Sequence, residues 1–453
     1  MNSTYSRREF LNRSLAVGAG AAAIQLLPIG AATAAAVPSH RLTQSHDPAV
    51  LHRWISAVHS SVKRERYTPT NAARTYAYFS VAAYEAVVGG MPRHLSLGLQ
   101  LNGLPRLPFA ARNRRYDWPT AANAAMATIA PALFADRAES LAELADLEAA
   151  FRSERAVAVA DGPTINRSVA HGRAVGDAIV TWIHADGWAG IQGLAYTPPV
   201  GPGLWQSTPP NFGTAIEPYW EQVRTFALSP VTTCTPPPPV AFSTDPASEF
   251  YAQALTTYHA VNNLADAQKD IAFFWRDNPD GTTGLPSGHW LLITGILIGQ
   301  LGYNLEQAAE LLALNSVTVA DAFSSCWTEK YRTNLVRPVT YIQQNVDAAW
   351  TTPVNTPQFP EYTSGHSVGS GAAATTLTAL VGTVAFVDNT GEVNGFASRS
   401  FDSIWDAANE AAISRLYGGI HYPMGIEAGI EQGICVSREV LGRISTRKSG
   451  PVG

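Results

Sequence analysis

Cysteine is scarce in this 453-residue chain, with only Cys234, Cys326 and Cys435. None sits within a Cys-x-x-Cys pair, which argues against a thiolate zinc site. An odd, widely spaced trio cannot build a disulfide framework. It leaves one disulfide with one buried thiol, or three buried thiols. Charge is sparse too, at 15% of residues with a net of −5. No long basic run exists, so nucleic acid is not expected as the main partner. Alternating apolar and polar runs are few, which leaves a sheet-based fold little to build on. The apolar run near the N-terminus is short and Gly/Ala-rich, unsuited to a stable membrane span.

That run belongs to something else. Arg7-Arg8 precede Phe10-Leu11, then come apolar and small-residue stretches, the order of a secretory signal. The arginine pair points to twin-arginine export and a periplasmic or secreted protein. Residues 1–36 are therefore set apart from the fold. The remainder, in a chain that is 46% hydrophobic, can bury a large core.

About eleven stretches carry helical spacing, among them 48–62, 71–90, 120–136, 167–187 and 246–263. Others are 265–277, 287–302, 304–333, 365–382, 400–419 and 425–445, with 383–389 the best strand candidate. The expected fold class is all-α: two packed helical bundles, residues 37–245 and 246–453, with an oxyanion site in the second. The Pro/Gly-rich loops 188–217 and 229–245 either mark the seam or roof a site.

Ser-Gly-His occurs twice, as Ser287-Gly288-His289 and Ser364-Gly365-His366. The second copy has company. Lys330 and Arg337-Pro338 lie upstream, and Ser414-Arg415 with His421 downstream. Lys330 and Arg337 are seven apart, two helical turns, which places them on one face. Arg415 and His421 can share a pocket if a helix ends at Gly418-Gly419. Arginine forks and a lysine charge suit a tetrahedral oxyanion. Gly365 lets a backbone N–H approach it at a helix start. Any one of these residues alone is unremarkable; their fixed order and spacing are not.

The pattern Lys-x6-Arg-Pro, Ser-Gly-His, Ser-Arg-x5-His resembles the vanadium-dependent haloperoxidases, which share a site with type 2 phosphatidic acid phosphatases and bacterial acid phosphatases. The resemblance covers the C-terminal half and leans to the chloroperoxidase-like branch. It implies one vanadate per chain, bonded axially by His421. Lys330, Arg337, Ser364, Gly365 and Arg415 would hold its other oxygens. His366 would be the acid–base group, and Lys330 would polarise peroxide bound at the vanadate. Hydrogen peroxide would then oxidise bromide or chloride to hypohalous acid, for transfer to an organic acceptor. Trp327 and Phe359 sit where the fungal type has aromatics, as candidates for a halide site. Asp277 is a candidate partner for Arg415. A homo-oligomer is compatible with all of this.

Two departures stand out. Thr363 replaces the motif's proline, and Gly425 stands where an Asp often follows the last histidine. In phosphatases that carboxylate orients the nucleophilic histidine, so Gly425 counts against the alternative of an acid phosphatase using His421. A non-catalytic oxyanion-binding protein is a third reading, which the retention of both His366 and His421 disfavours. A Gly-x-Ser-x-Gly elbow at Ser367 is rejected, because Pro357 and Pro360 precede it instead of a strand. The first triplet precedes Lys330 and so falls out of order. His289 is expected to serve structure, starting the 287–302 helix, with a place near the pocket mouth as the second option.

Overall fold

Caps and prolines set where the helices begin. Thr68, Asp117 and Asp161 each accept a backbone N–H three residues on, and each is followed within two residues by proline. The computed structural model describes residues 42–281 and 284–449, so the signal expected at 1–36 lies outside them. In chain order come α1 (Ala49–Arg64), α2 (Pro69–Val87), α3 (Trp118–Leu133), α4 (Ala138–Val159), α5 (Gly162–His184) and the short α6 (Trp188–Ile191). The second half holds α7 (Glu249–Asn262), α8 (Asp266–Phe274), α9 (Pro286–Gln300), α10 (Leu305–Thr333), α11 (Pro338–Asn345) and α12 (Gly365–Val381). A small antiparallel ribbon follows, β1 (Phe386–Asp388) and β2 (Arg399–Phe401), with Phe386 opposite Phe401 and Asp388 opposite Arg399. Then come α13 (Ile404–Tyr417) and α14 (Pro423–Arg443). The fold is all-α, and β1 falls inside the expected strand.

α10 is the axis. Its 29 residues span about 44 Å at 1.5 Å per residue. Nearly every side chain from Leu305 to Lys330 is buried. α2, buried along its whole length, packs on α10, and so do α12 and α14. α3 lies along α5, and α12 lies along α14. That last crossing is close because Gly433 has no side chain; a Cβ there would fall 2.2 Å from the Val368 carbonyl oxygen. One apolar cluster joins residues of α1–α3, α9, α10, α12 and α14. The described residues form one compact unit.

The Pro-rich loops are fastened down. Cys234 is disulfide-bonded to Cys435 of α14, leaving Cys326 as a buried thiol. Tyr362 and Tyr341 donate hydroxyl hydrogen bonds to the carbonyls of Pro237 and Ser243. Trp327 and Tyr331, near the end of α10, both donate to the Ile216 carbonyl.

α4 falls outside the helical stretches read from spacing. Only Ser140, Leu144 and Phe151 are buried along it, so no apolar stripe marks a face. Its Ala, Leu, Glu and Arg content favours a helix by intrinsic propensity. Among the described residues, no helix is long and apolar enough to cross a membrane.

Candidate oxyanion site

Lys330 and Arg337 do converge, but not as neighbours on one helix face. α10 stops at Thr333, where Asn334 takes the left-handed conformation (φ 48°) and accepts no further turn. Arg337 instead occupies the residue just before α11, with its side chain making no capping bond to that helix. What unites the two is the segment 359–363. Lys330 Nζ donates to the carbonyls of Pro360 (3.1 Å), Glu361 (2.9 Å) and Thr363. Arg337 Nε donates to the Phe359 carbonyl at 2.8 Å. Thr363, in the proline position, donates to Gln432 Oε1 at 2.6 Å and is fully buried.

α12 starts just after this segment. Ser364 is its N-cap, accepting from Ser367 N and Ser367 Oγ, and its own N–H donates to the Gly425 carbonyl at 2.9 Å. Ser367 is thus buried in a first helical turn, with no strand before it. Gly365 opens the helix, where N–H groups lack intrahelical acceptors. A Cβ on Gly365 would meet only Phe323 and Trp327, at 3.6 and 3.7 Å. Protein packing does not require glycine there.

α13 ends at Tyr417, and Gly419 turns the chain at φ 73°, bringing Arg415 and His421 together as the spacing suggests. Arg415 Nη1 donates to the Trp275 carbonyl at 2.6 Å. His366, Arg415, His421, Gly365, Trp327, Phe359 and Asp277 all line one cleft. The rings of Trp327 and Phe359 pack at 4.8 Å, with the Lys330 ammonium 5.0 Å from the Phe359 ring centre.

Asp277 does not bond Arg415. Its Oδ2 accepts from His289 Nδ1 at 2.8 Å, and it reaches Arg415 only through its charge. His289 is held on its other side by Asp388 Oδ2, also at 2.8 Å.

The electrostatics are lopsided. Lys330, Arg337 and Arg415 are fully buried. Burial pulls Lys330 to about 7, Arg337 to about 10 and Arg415 to about 9. The three carbonyls around Lys330 still favour its ammonium form. Burial and neighbouring cations push His366 and His421 well below the usual histidine range, so both are neutral at pH 7. Neutrality fixes their tautomers. Arg337 Nη1 lies 3.1 Å from His421 Nε2 and can only donate, so Nε2 carries the lone pair and Nδ1 the proton. His366 Nε2 lies 2.9 Å from the Trp275 carbonyl, which can only accept, so His366 keeps its lone pair on Nδ1.

One residue of this site is missing from the sequence reading: Glu361. Its Oε1 accepts from His421 Nδ1 at 2.8 Å and from the Tyr422 N–H at 3.0 Å. Burial raises it to about 7 against the pull of Lys330 and Arg337. The site therefore does contain a carboxylate on its histidine, and Gly425 is no evidence against one. The available signal was an acid three residues before Ser364 in an otherwise uncharged, Pro-punctuated segment.

The residues fit an oxyanion. Arg337 Nη2 and Arg415 Nε and Nη2 are buried without a hydrogen-bond partner. Unpaired buried donors on cations are costly unless an anion meets them.

A family model, the VCPO second helical-bundle domain, matches residues 310–450. The solved structure of the first bacterial vanadium-dependent iodoperoxidase is 36% identical, with a TM-score of 0.82, covering 89% of this chain and 97% of its own. Holo and apo structures of a bacterial vanadium-dependent chloroperoxidase share the fold at 15% identity, with TM-scores of 0.63 and 0.61. Each covers 83% of this chain and 93% of its own. No curated protein matches the sequence.

Proposed function

The chain belongs to the vanadium-dependent haloperoxidases, and from that membership we propose that it oxidises iodide and bromide with hydrogen peroxide, at a vanadate held beside His421. The overall change consumes one peroxide, one halide and one proton, and yields hypohalous acid and water. The organic acceptor is then halogenated by that acid. Iodide leads because the 36% identical relative is an iodoperoxidase. Chloride, the harder halide to oxidise, is a further candidate on the strength of the Trp327–Phe359 pair.

The observation that carries this reading is the set of unpaired donors on Arg337 and Arg415 beside two neutral histidines. His421, through its Nε2 lone pair, would hold the metal. Arg337, Arg415, Ser364 and the Gly365 amide would hold the oxygens. Vanadate, when bound, supplies the Lewis acid that activates peroxide toward halide. His366 Nδ1 takes the proton from incoming peroxide and returns it to the departing oxygen. Lys330 contributes positive charge, but all three of its N–H donors are engaged by carbonyls. Direct contact with bound peroxide requires it to release one of them.

A second reading has an observation of its own. The Glu361 bond to His421 Nδ1 would equally orient a histidine nucleophile in an acid phosphatase. The assay separates them: vanadate plus peroxide with each halide and a phenol dye, then a phosphate ester without vanadate. Ester turnover with no vanadate-dependent dye halogenation would sink the peroxidase proposal. Export by the twin-arginine route is part of the same proposal, supported by Arg7-Arg8 and by the Cys234–Cys435 disulfide.

A further inference from the structure

Glu361 is fully buried, and its backbone and side chain serve different parts of the site. Its carbonyl accepts from Lys330 Nζ, its N–H donates to the Leu335 carbonyl, and its carboxylate grips His421 and the Tyr422 amide. It thus ties the end of α10 to the loop between α13 and α14. The carboxylate lies where a side chain on residue 425 would be. A Cβ on Gly425 would fall 2.4 Å from Glu361 Oε1, 2.8 Å from Oε2 and 3.0 Å from Cδ. Gly425 has ordinary helical surroundings and no positive φ. Its lack of a side chain is explained by that carboxylate.

We infer that Glu361 is the positioning residue for His421, and that Gly425 must be glycine because the Glu361 carboxylate fills its side-chain space. An imidazole donating Nδ1–H to a carboxylate is held in one ring orientation, and its Nε2 becomes a better donor to a metal. The Arg337 contact at Nε2 selects the same tautomer but gives way when that lone pair is used. Glu361 does not give way. The inference deepens the proposed vanadate role of His421 and rests on it only for the binding readout.

Two readouts test it on the full-length protein. Loss of outer carboxylate partners typically weakens metal binding by about 10–100-fold. Glu361→Ala should lower vanadate affinity, measured by equilibrium dialysis, by that factor; Glu361→Gln, which keeps an acceptor oxygen, should lose less. In the vanadate-free protein labelled with ¹⁵N-histidine, the parent should show a protected, downfield His421 Nδ1–H resonance, assigned by its absence in His421→Ala. That signal should vanish in Glu361→Ala and persist in Glu361→Gln. Gly425→Asp alone should perturb the site by crowding Glu361. Combined with Glu361→Ala, it should recover both the resonance and part of the affinity. Circular dichroism restricts the comparison to folded variants. A Nδ1–H resonance unchanged in Glu361→Ala overturns the inference, and so does a double variant no better than Glu361→Ala. If the resonance behaves as expected but no variant or parent binds vanadate, the proposed function fails and the positioning role stands.

Discussion

At the scale of single residues, two histidines in one cleft have opposite unprotonated nitrogens. His421 presents Nε2 because Arg337 donates to it, and His366 presents Nδ1 because its Nε2 is spent on the Trp275 carbonyl. Their substitutions should therefore differ in kind. His421→Ala should abolish vanadate binding measured by dialysis. His366→Ala should keep binding within a few-fold while halide oxidation slows by about 10²–10⁴, the usual loss when a general acid–base group is removed. Equal loss of bound vanadium in both variants would contradict the assignment. These histidines and the three cations were legible in the sequence because their residue types carry the chemistry and their spacing repeats a motif. Glu361 was not. A carboxylate becomes meaningful only beside its partner, and His421 lies 60 positions away in sequence. The Lys330–Arg337 pairing was legible but for the wrong reason. A spacing of seven assumes a continuous helix, and Asn334 breaks it.

At the scale of elements, the first Ser-Gly-His triplet has a use. His289 near the start of α9 sits between Asp277 and Asp388, stacked on Trp275 at 4.3 Å. The Trp275 carbonyl receives both His366 and Arg415. α9, the β1 ribbon and the segment after α8 are thereby locked around the wall of the cleft. Burial alone would lower His289, but Asp277 and Asp388 raise it to about 10. Thr390 also touches the ring, and nearby His59 is held neutral by burial, at about 4. The sign follows from linkage: a histidine raised from 6.5 to about 10 stabilises fully below the lower value and loses that contribution as pH climbs through the upper one. His289→Gln should cost about 3–5 kcal/mol at pH 7, since it strands two buried carboxylates. The stability gap between parent and variant, from denaturant titrations, should narrow steadily from pH 7 to 10. A gap constant across that window would mean the ring is uncharged. Sequence order could exclude His289 from the oxyanion motif. It could not supply Asp388, which a ribbon delivers from 99 residues away.

Over the whole molecule, one covalent tie crosses a long stretch of chain. Cys234 and Cys435 are 201 residues apart in sequence, and their bond pins the Pro-rich loop to α14. The composition left two options for three cysteines, and burial of Cys326 beside Lys330 settles which thiol stays free. Closing so long a loop removes entropy from the unfolded chain, an effect of about 2–5 kcal/mol. Neither cysteine of the pair lines the cleft, whose walls come from α10, α12, α13 and the segments around 277 and 359. Reduction should therefore separate stability from binding. Reduced with dithiothreitol under native conditions, alkylated and then freed of the reductant, which would itself reduce vanadate, the protein should unfold at lower urea concentration yet bind vanadate with unchanged affinity. Alkylation before unfolding should label Cys234 and Cys435 and spare Cys326, as mass spectrometry of the digested protein would show. An unchanged urea midpoint after confirmed reduction would mean that the loop is held by its hydrogen bonds to Tyr341, Tyr362, Met424 and Arg443 without help from the disulfide.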